Sequence, residues 1–109
     1  KHSSGLVEII GTNLGNTPSV VYTVPAGLRL VITDIHFRGC NRLNVYRGSL
    51  LVTRVEGSFI FVSRSYQTGI EFKGGDLVQV AMPLQDGGGG GGACTPDVYF
   101  ELRGFQEPQ

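Results

Sequence analysis

The strongest constraint on this chain is its alternation of short β-type segments with turn residues. Stretches of four to ten residues rich in Val, Ile, Leu, Phe, Tyr and Thr are separated by clusters of Gly, Pro, Ser, Asn and Asp, at intervals of about ten residues. No window of a dozen residues sets apolar positions three and four apart, so the sequence predicts no helix. Residues 6–11, 20–24, 28–37, 41–47, 50–55, 59–62, 66–72, 77–82 and 98–103 read as strands. Short turns suffice to connect them if neighbours run antiparallel, whereas parallel pairing would require crossover helices. The expected fold is therefore all-β, an antiparallel β-sandwich of jelly-roll type with eight to nine short strands.

Side-chain alternation within these segments indicates which faces are buried, because successive residues of a strand point to opposite sides. In residues 28–37 it sets Val31, Thr33, Ile35 and Phe37 on one face and Leu30, Ile32, Asp34 and His36 on the other. The first half is apolar on both faces, as in a central strand. In residues 41–47, Leu43 and Val45 point one way and Arg42, Asn44 and Tyr46 the other, and Gly48 and Ser49 then mark a hairpin turn. Near the end, Val98, Phe100 and Leu102 face the core while Tyr99, Glu101 and Arg103 face out. Pro25 fixes φ and Gly27 permits a positive φ, so residues 24–27 read as a β-turn. Asp76, following Gly74 and Gly75, is placed to accept turn amide hydrogens.

Between the last two segments lie Gln85, Asp86, six glycines at 87–92, Ala93 and Cys94. A run of glycines is expected to be a loop, since each glycine loses more backbone entropy on ordering than any other residue. The other cysteine, Cys40, lies in a second turn-like stretch. A Cys40–Cys94 bridge would stiffen the loop and contribute about 4 kcal/mol in the chain-entropy model. Two reduced thiols are the alternative.

A chain of 109 residues fits one domain, here expected over 6–107. The opening Lys1, His2, Ser3, Ser4, Gly5, Leu6, Val7 is similar to the remnant of a polyhistidine tag with its linker, so 1–5 is read as a tag or disordered terminus. Charged residues make up 17% of the chain, below the roughly 25% usual in soluble domains. That leaves a surface of small polar residues, suited to an extracellular or assembled protein. A net charge of zero argues against nucleic acid and against an anionic membrane surface as partners. No apolar run reaches the ~20 residues of a membrane span.

The stretch at 22–35, Tyr-Thr-Val-Pro-Ala-Gly-Leu-Arg-Leu-Val-Ile-Thr-Asp-Ile, resembles the opening strand pair of small β-sandwich domains from bacteria and their phages. The likeness extends to Gly75-Asp76-Leu77-Val78-Gln79-Val80 and to the terminal Arg103-Gly104-Phe105. It implies a secreted, surface-attached or virion-associated domain without catalytic activity. The Gly-Asp-x-Val and terminal Gly-Phe features are also similar to trimeric jelly rolls of the tumour-necrosis-factor and complement-C1q type. That second resemblance implies a homotrimer.

Candidate chemistry is sparse. Asp34 and His36 share one strand face, the spacing of a pair that could hold a metal or relay a proton. A cupin-type metal site would require His-x-His and a downstream Glu, and here the sequence reads Asp34-Ile35-His36-Phe37-Arg38. No serine lies in a Gly-x-Ser-x-Gly elbow, and the glycine run is not followed by the Gly-Lys-Ser/Thr of a phosphate loop. Arg38, Arg42 and Arg47 cluster with Asn44 and Tyr46 around one strand, whose outward face presents Arg42, Asn44 and Tyr46, a combination able to stack on a sugar and bond its hydroxyls, or to anchor a protein. The expected ligand-binding residues are Arg38, Arg42, Asn44, Tyr46, Gln85 and Asp86. The expectation is thus a non-enzymatic binding or assembly module, secreted or on a cell or virion surface. It would need no cofactor or metal, and its partner would be itself or another protein. A carbohydrate-binding module is the second reading, and a metal-dependent enzyme using Asp34 and His36 the third.

Overall fold

A computed structural model describes residues 5–11, 17–38, 42–56, 61–82 and 99–109. They form eight strands and no helix: β1 (Gly5–Gly11), β2 (Ser19–Thr23), β3 (Leu28–Arg38), β4 (Leu43–Arg47), β5 (Leu50–Val55), β6 (Phe61–Lys73), β7 (Leu77–Ala81) and β8 (Tyr99–Pro108). The strands make two four-stranded sheets, ordered β1-β8-β3-β6 and β2-β7-β4-β5, and every pairing is antiparallel. The all-β sandwich expected from the sequence is the fold observed. With no helix among the described residues, none is long and apolar enough to cross a membrane. Residues 59–62 and 66–72, read as separate strands, are joined in the long β6, and β8 runs on to Pro108. β1 begins at Gly5, inside the stretch read as a terminus.

The core is one cluster drawn from both sheets. Ile9, Leu30, Ile32, Ile35, Phe37, Phe72, Phe100 and Leu102 come from the first sheet, and Leu43, Val45, Val55, Val78 and Val80 from the second. These are β-branched, leucine and phenylalanine side chains, which fit a half-buried pleated surface. The turn expected over 24–27 forms one residue later, over 25–28, and joins strands of different sheets. The Leu28 amide donates to the Pro25 carbonyl at 3.2 Å, Gly27 adopts a φ of 83°, and the Asp76 carboxylate accepts from the Lys73 amide at 2.7 Å.

Strict alternation along β3 fails, and the reason is a bulge. Leu30, Ile32, Ile35 and Phe37 are all fully buried in the core, although alternation splits them between faces. The register slips between Ile32 and Asp34 against both neighbours. Opposite Thr33, β8 passes directly from Gly104 to Arg103, and β6 inserts Tyr66, Gln67, Thr68 and Gly69. One extra residue in β3 returns the second half of the strand to the core face. Asp34 and His36 consequently lie on the solvent side, on the opposite face from Leu30 and Ile32. The bulge presses β3 against its neighbours. A Cβ on Gly104 would overlap the Val31 carbonyl oxygen, and one on Gly69, where φ is +80°, would overlap Val31 Cγ1.

Side chains also link the two sheets. At one side the Tyr22 hydroxyl of β2 donates to Gln106 Oε1 of β8 at 2.6 Å. At the other, Tyr66 of the β6 insertion and Thr53 of β5 share a hydrogen bond of 2.7 Å. Arg47 at the end of β4 places its guanidinium 5.3 Å from the centre of the Phe72 ring and donates to the Glu71 carbonyl of the opposite sheet.

Gly104→Ala should cost about 3 kcal/mol or abolish folding, because the new methyl meets backbone that cannot swing aside. Urea unfolding, read by the shift of the midpoint at constant slope, measures it.

Candidate functional site

The two outer faces of the sandwich carry different chemistry. On the first sheet, cross-strand pairing sets Asp34 between Ser65 and Arg103, and His36 between Ser63 and Glu101. Asp34 Oδ1 accepts from Ser65 Oγ at 2.7 Å, and Oδ2 accepts from Thr33 Oγ1 at 2.9 Å. These two hydroxyls, Ser65 first, hold the Asp34 carboxyl below its usual range. His36 Nδ1 and Ser63 Oγ are 2.8 Å apart. Glu101, only 6% exposed, receives Arg103 Nε and the Tyr99 hydroxyl, the latter at 2.8 Å. The Arg103 guanidinium, more than the Tyr99 hydroxyl, keeps Glu101 ionised to lower pH than an ordinary glutamate. The same carboxylate pushes the Tyr99 phenol upward. Arg103 also reaches Glu8 of β1 at 3.4 Å. At the far end of this face Arg29 bridges Glu71 at 2.8 Å and Glu107 at 2.6 Å, and the Arg29 guanidinium lowers Glu71.

Ser63, His36 and Glu101 thus form one row across β6, β3 and β8. The residue types suit proton transfer. However, the oxygens of Glu101 are held by Tyr99 and Arg103, and Ser63 is exposed on an open sheet face. What this face offers is an array of fixed charges and hydroxyls.

On the second sheet, Leu43 and Val45 are buried, and Asn44 and Tyr46 alternate with them toward the outside. Asn44 Nδ2 donates to the Tyr46 hydroxyl at 3.1 Å. Arg42, just before β4, has Nε 3.9 Å from Glu56 Oε1. Two polar atoms here, Arg42 Nε and Asn44 Oδ1, are buried with no hydrogen-bond partner among the described residues. Cross-strand pairing sets Tyr46 between Leu51 of β5 and Gln79 of β7, and Gln79 beside Val20 of β2. Leu51 is 40% exposed and Val20 51%, with Leu77 of the same face at 38%. An aromatic and aliphatic strip therefore crosses the sheet beside the polar Arg42 and Asn44.

The structure joins Asn44 to Tyr46 by a hydrogen bond, while Arg42, just before β4, faces Glu56. Arg38 ends β3 opposite Tyr99, so it lies on the outer face of the other sheet. Arg47 turns inward toward Phe72. Gln85, Asp86, the glycines at 87–92, Cys40 and Cys94 lie outside the described residues. Among the described residues no group of three or more His, Cys, Asp or Glu is assembled to hold a metal ion. The partners of Asp34 and His36, namely Ser63, Ser65, Glu101 and Arg103, come from β6 and β8, and only strand register reveals them. Alternation in residues 98–103 supplies the one sequence signal, setting Glu101 and Arg103 outward. No model of a known protein family matches the chain, and no curated protein matches its sequence.

The depressed carboxyls of Asp34, Glu71 and Glu101 fix the sign of the pH dependence. Their stabilisation is complete above the ordinary carboxylate range, about pH 4 to 5, and is lost as pH falls through their lower folded values. Thermal melts should show constant stability from pH 7 to 5 and a decline in acid. Glu101→Gln should lower the midpoint at neutral pH and narrow the gap to the parent as pH falls.

Proposed function

We propose that this protein is a non-enzymatic binding and assembly module, of a secreted, cell-surface or virion-associated kind, that works as a homo-oligomer. The observation that carries the reading is the strip formed by Val20, Tyr46, Leu51 and Leu77 on the outer face of the second sheet. Aliphatic side chains 38–51% exposed on adjoining strands gain from being covered by a partner. The strand order β1-β8-β3-β6 against β2-β7-β4-β5 supports a jelly-roll reading in which two Greek keys interleave. Light scattering after size-exclusion chromatography should give a mass above that of one 11.7 kDa chain. A strict monomer at all concentrations overturns self-assembly.

A second reading has its own observation. The Tyr46 hydroxyl accepts from Asn44 Nδ2 at 3.1 Å, and an aromatic ring with an adjacent amide group suits a sugar with its hydroxyls. On this reading a glycan array gives a positive, and Tyr46→Ala weakens binding by about tenfold, matching the 1–2 kcal/mol of a stacked ring. Unchanged affinity in that variant removes the glycan assignment.

A further inference from the structure

The four sheet edges of the described fold are unequal. The pairings that carry the edge strands β2, β5 and β6 each contain a register shift, at Val20/Tyr22, Val45/Tyr46 and Ile32/Asp34 respectively. Bulges twist an edge and spoil it as a template for another strand. β1 pairs with β8 over seven residues without a shift, so its outer edge presents an even row of backbone donors and acceptors. Its side chains do little to block approach. Leu6 is 91% exposed and Ile10 56%, the strand holds no Pro, Lys or Arg, and its one charge is Glu8.

The sequence of this edge selects its occupant. Gly5, Leu6, Val7, Glu8, Ile9, Ile10 and Gly11 read by residue class as the same series in both directions. In an antiparallel pair of identical strands related by a two-fold axis at Glu8, each residue before Glu8 faces the one equally far after it on the other copy, so this series sets apolar side chains opposite apolar ones.

Resting on the assembly reading above, we propose that β1 joins a second copy of this chain about a two-fold axis at Glu8, making one continuous eight-stranded sheet. Leu6 of each copy faces Ile10 of the other on the exposed side, and Val7 faces Ile9 on the core side. Glu8 meets Glu8 of the second copy at the axis. Like charges directly opposite each other weaken a ladder. Arg103, 3.4 Å from Glu8 in its own chain, offsets the repulsion from both sides.

The test is sedimentation equilibrium on the full chain with Glu8→Gln and Ile10→Lys, together with oxidation of Glu8→Cys. Glu8→Gln removes the central repulsion and should tighten the dimer by about two- to fivefold. Ile10→Lys alters both Leu6/Ile10 contacts and should weaken it by about tenfold, with the melting temperature confirming that the chain remains folded. Glu8→Cys should form a covalent dimer whose linked peptides both contain position 8, because paired Cα atoms in such a ladder lie within disulfide reach. An oligomer indifferent to these substitutions, with no linkage at position 8, overturns the β1 interface and leaves the assembly reading standing. A strict monomer in parent and Glu8→Gln alike overturns both.

Discussion

The sandwich depends on both halves of β3 facing the same core, which an unbroken ladder would forbid. β3 is the one strand flanked by both β8 and β6, and it supplies Leu30, Ile32, Ile35 and Phe37 to the interior. Thr33 is the extra residue that makes this possible, and the neighbours are built around it. Gly104 lets the β8 backbone close on the Val31 carbonyl, and Gly69 lets β6 return after its insertion. The insertion in turn delivers Tyr66 to Thr53 of the opposite sheet. A local irregularity thus serves the core, one seam of the sandwich and the placement of Asp34 and His36 on the outside.

Charge follows the same architecture. With few ionisable groups, the protein concentrates them on the outer face of the first sheet, where cross-strand neighbours alternate in sign. Glu8, Arg103 and Glu101 are linked in series across β1 and β8, and Glu71, Arg29 and Glu107 across β6, β3 and β8. These are exposed or half-exposed pairs, each worth little alone. Their value lies in fixing side chains whose positions a partner would meet. The second sheet, with Tyr46, Leu51, Leu77 and Val20 outward, presents a contrasting apolar face.

Much of the fold could be read from local pattern, and the remainder was hidden by register. The turns at Pro25–Leu28 and Lys73–Asp76 follow from Pro, Gly and Asp chemistry that acts within four residues. The alternation in Leu43–Arg47 put Asn44 and Tyr46 on one face, opposite the buried Leu43 and Val45, as observed. Two things could not be seen. The bulge at Thr33 is an agreement among three strands, and alternation within one strand carries no sign of it. The Ser63–His36–Glu101 row joins residues far apart in sequence, and only the register of three strands brings them side by side.

Strand order also dictates when the protein can exist. In each sheet a late strand lies inside: β8 separates β1 from β3, and β7 separates β2 from β4. A nascent chain that has released everything up to β6 has no pairing partner for β1 and none for β2. Its hydrophobic stripes stay open until β7 and β8 have been made. Closure of both sheets therefore waits for these two strands, each of which locks a half-built sheet. Loss of β8 alone would take the shared neighbour from both β1 and β3.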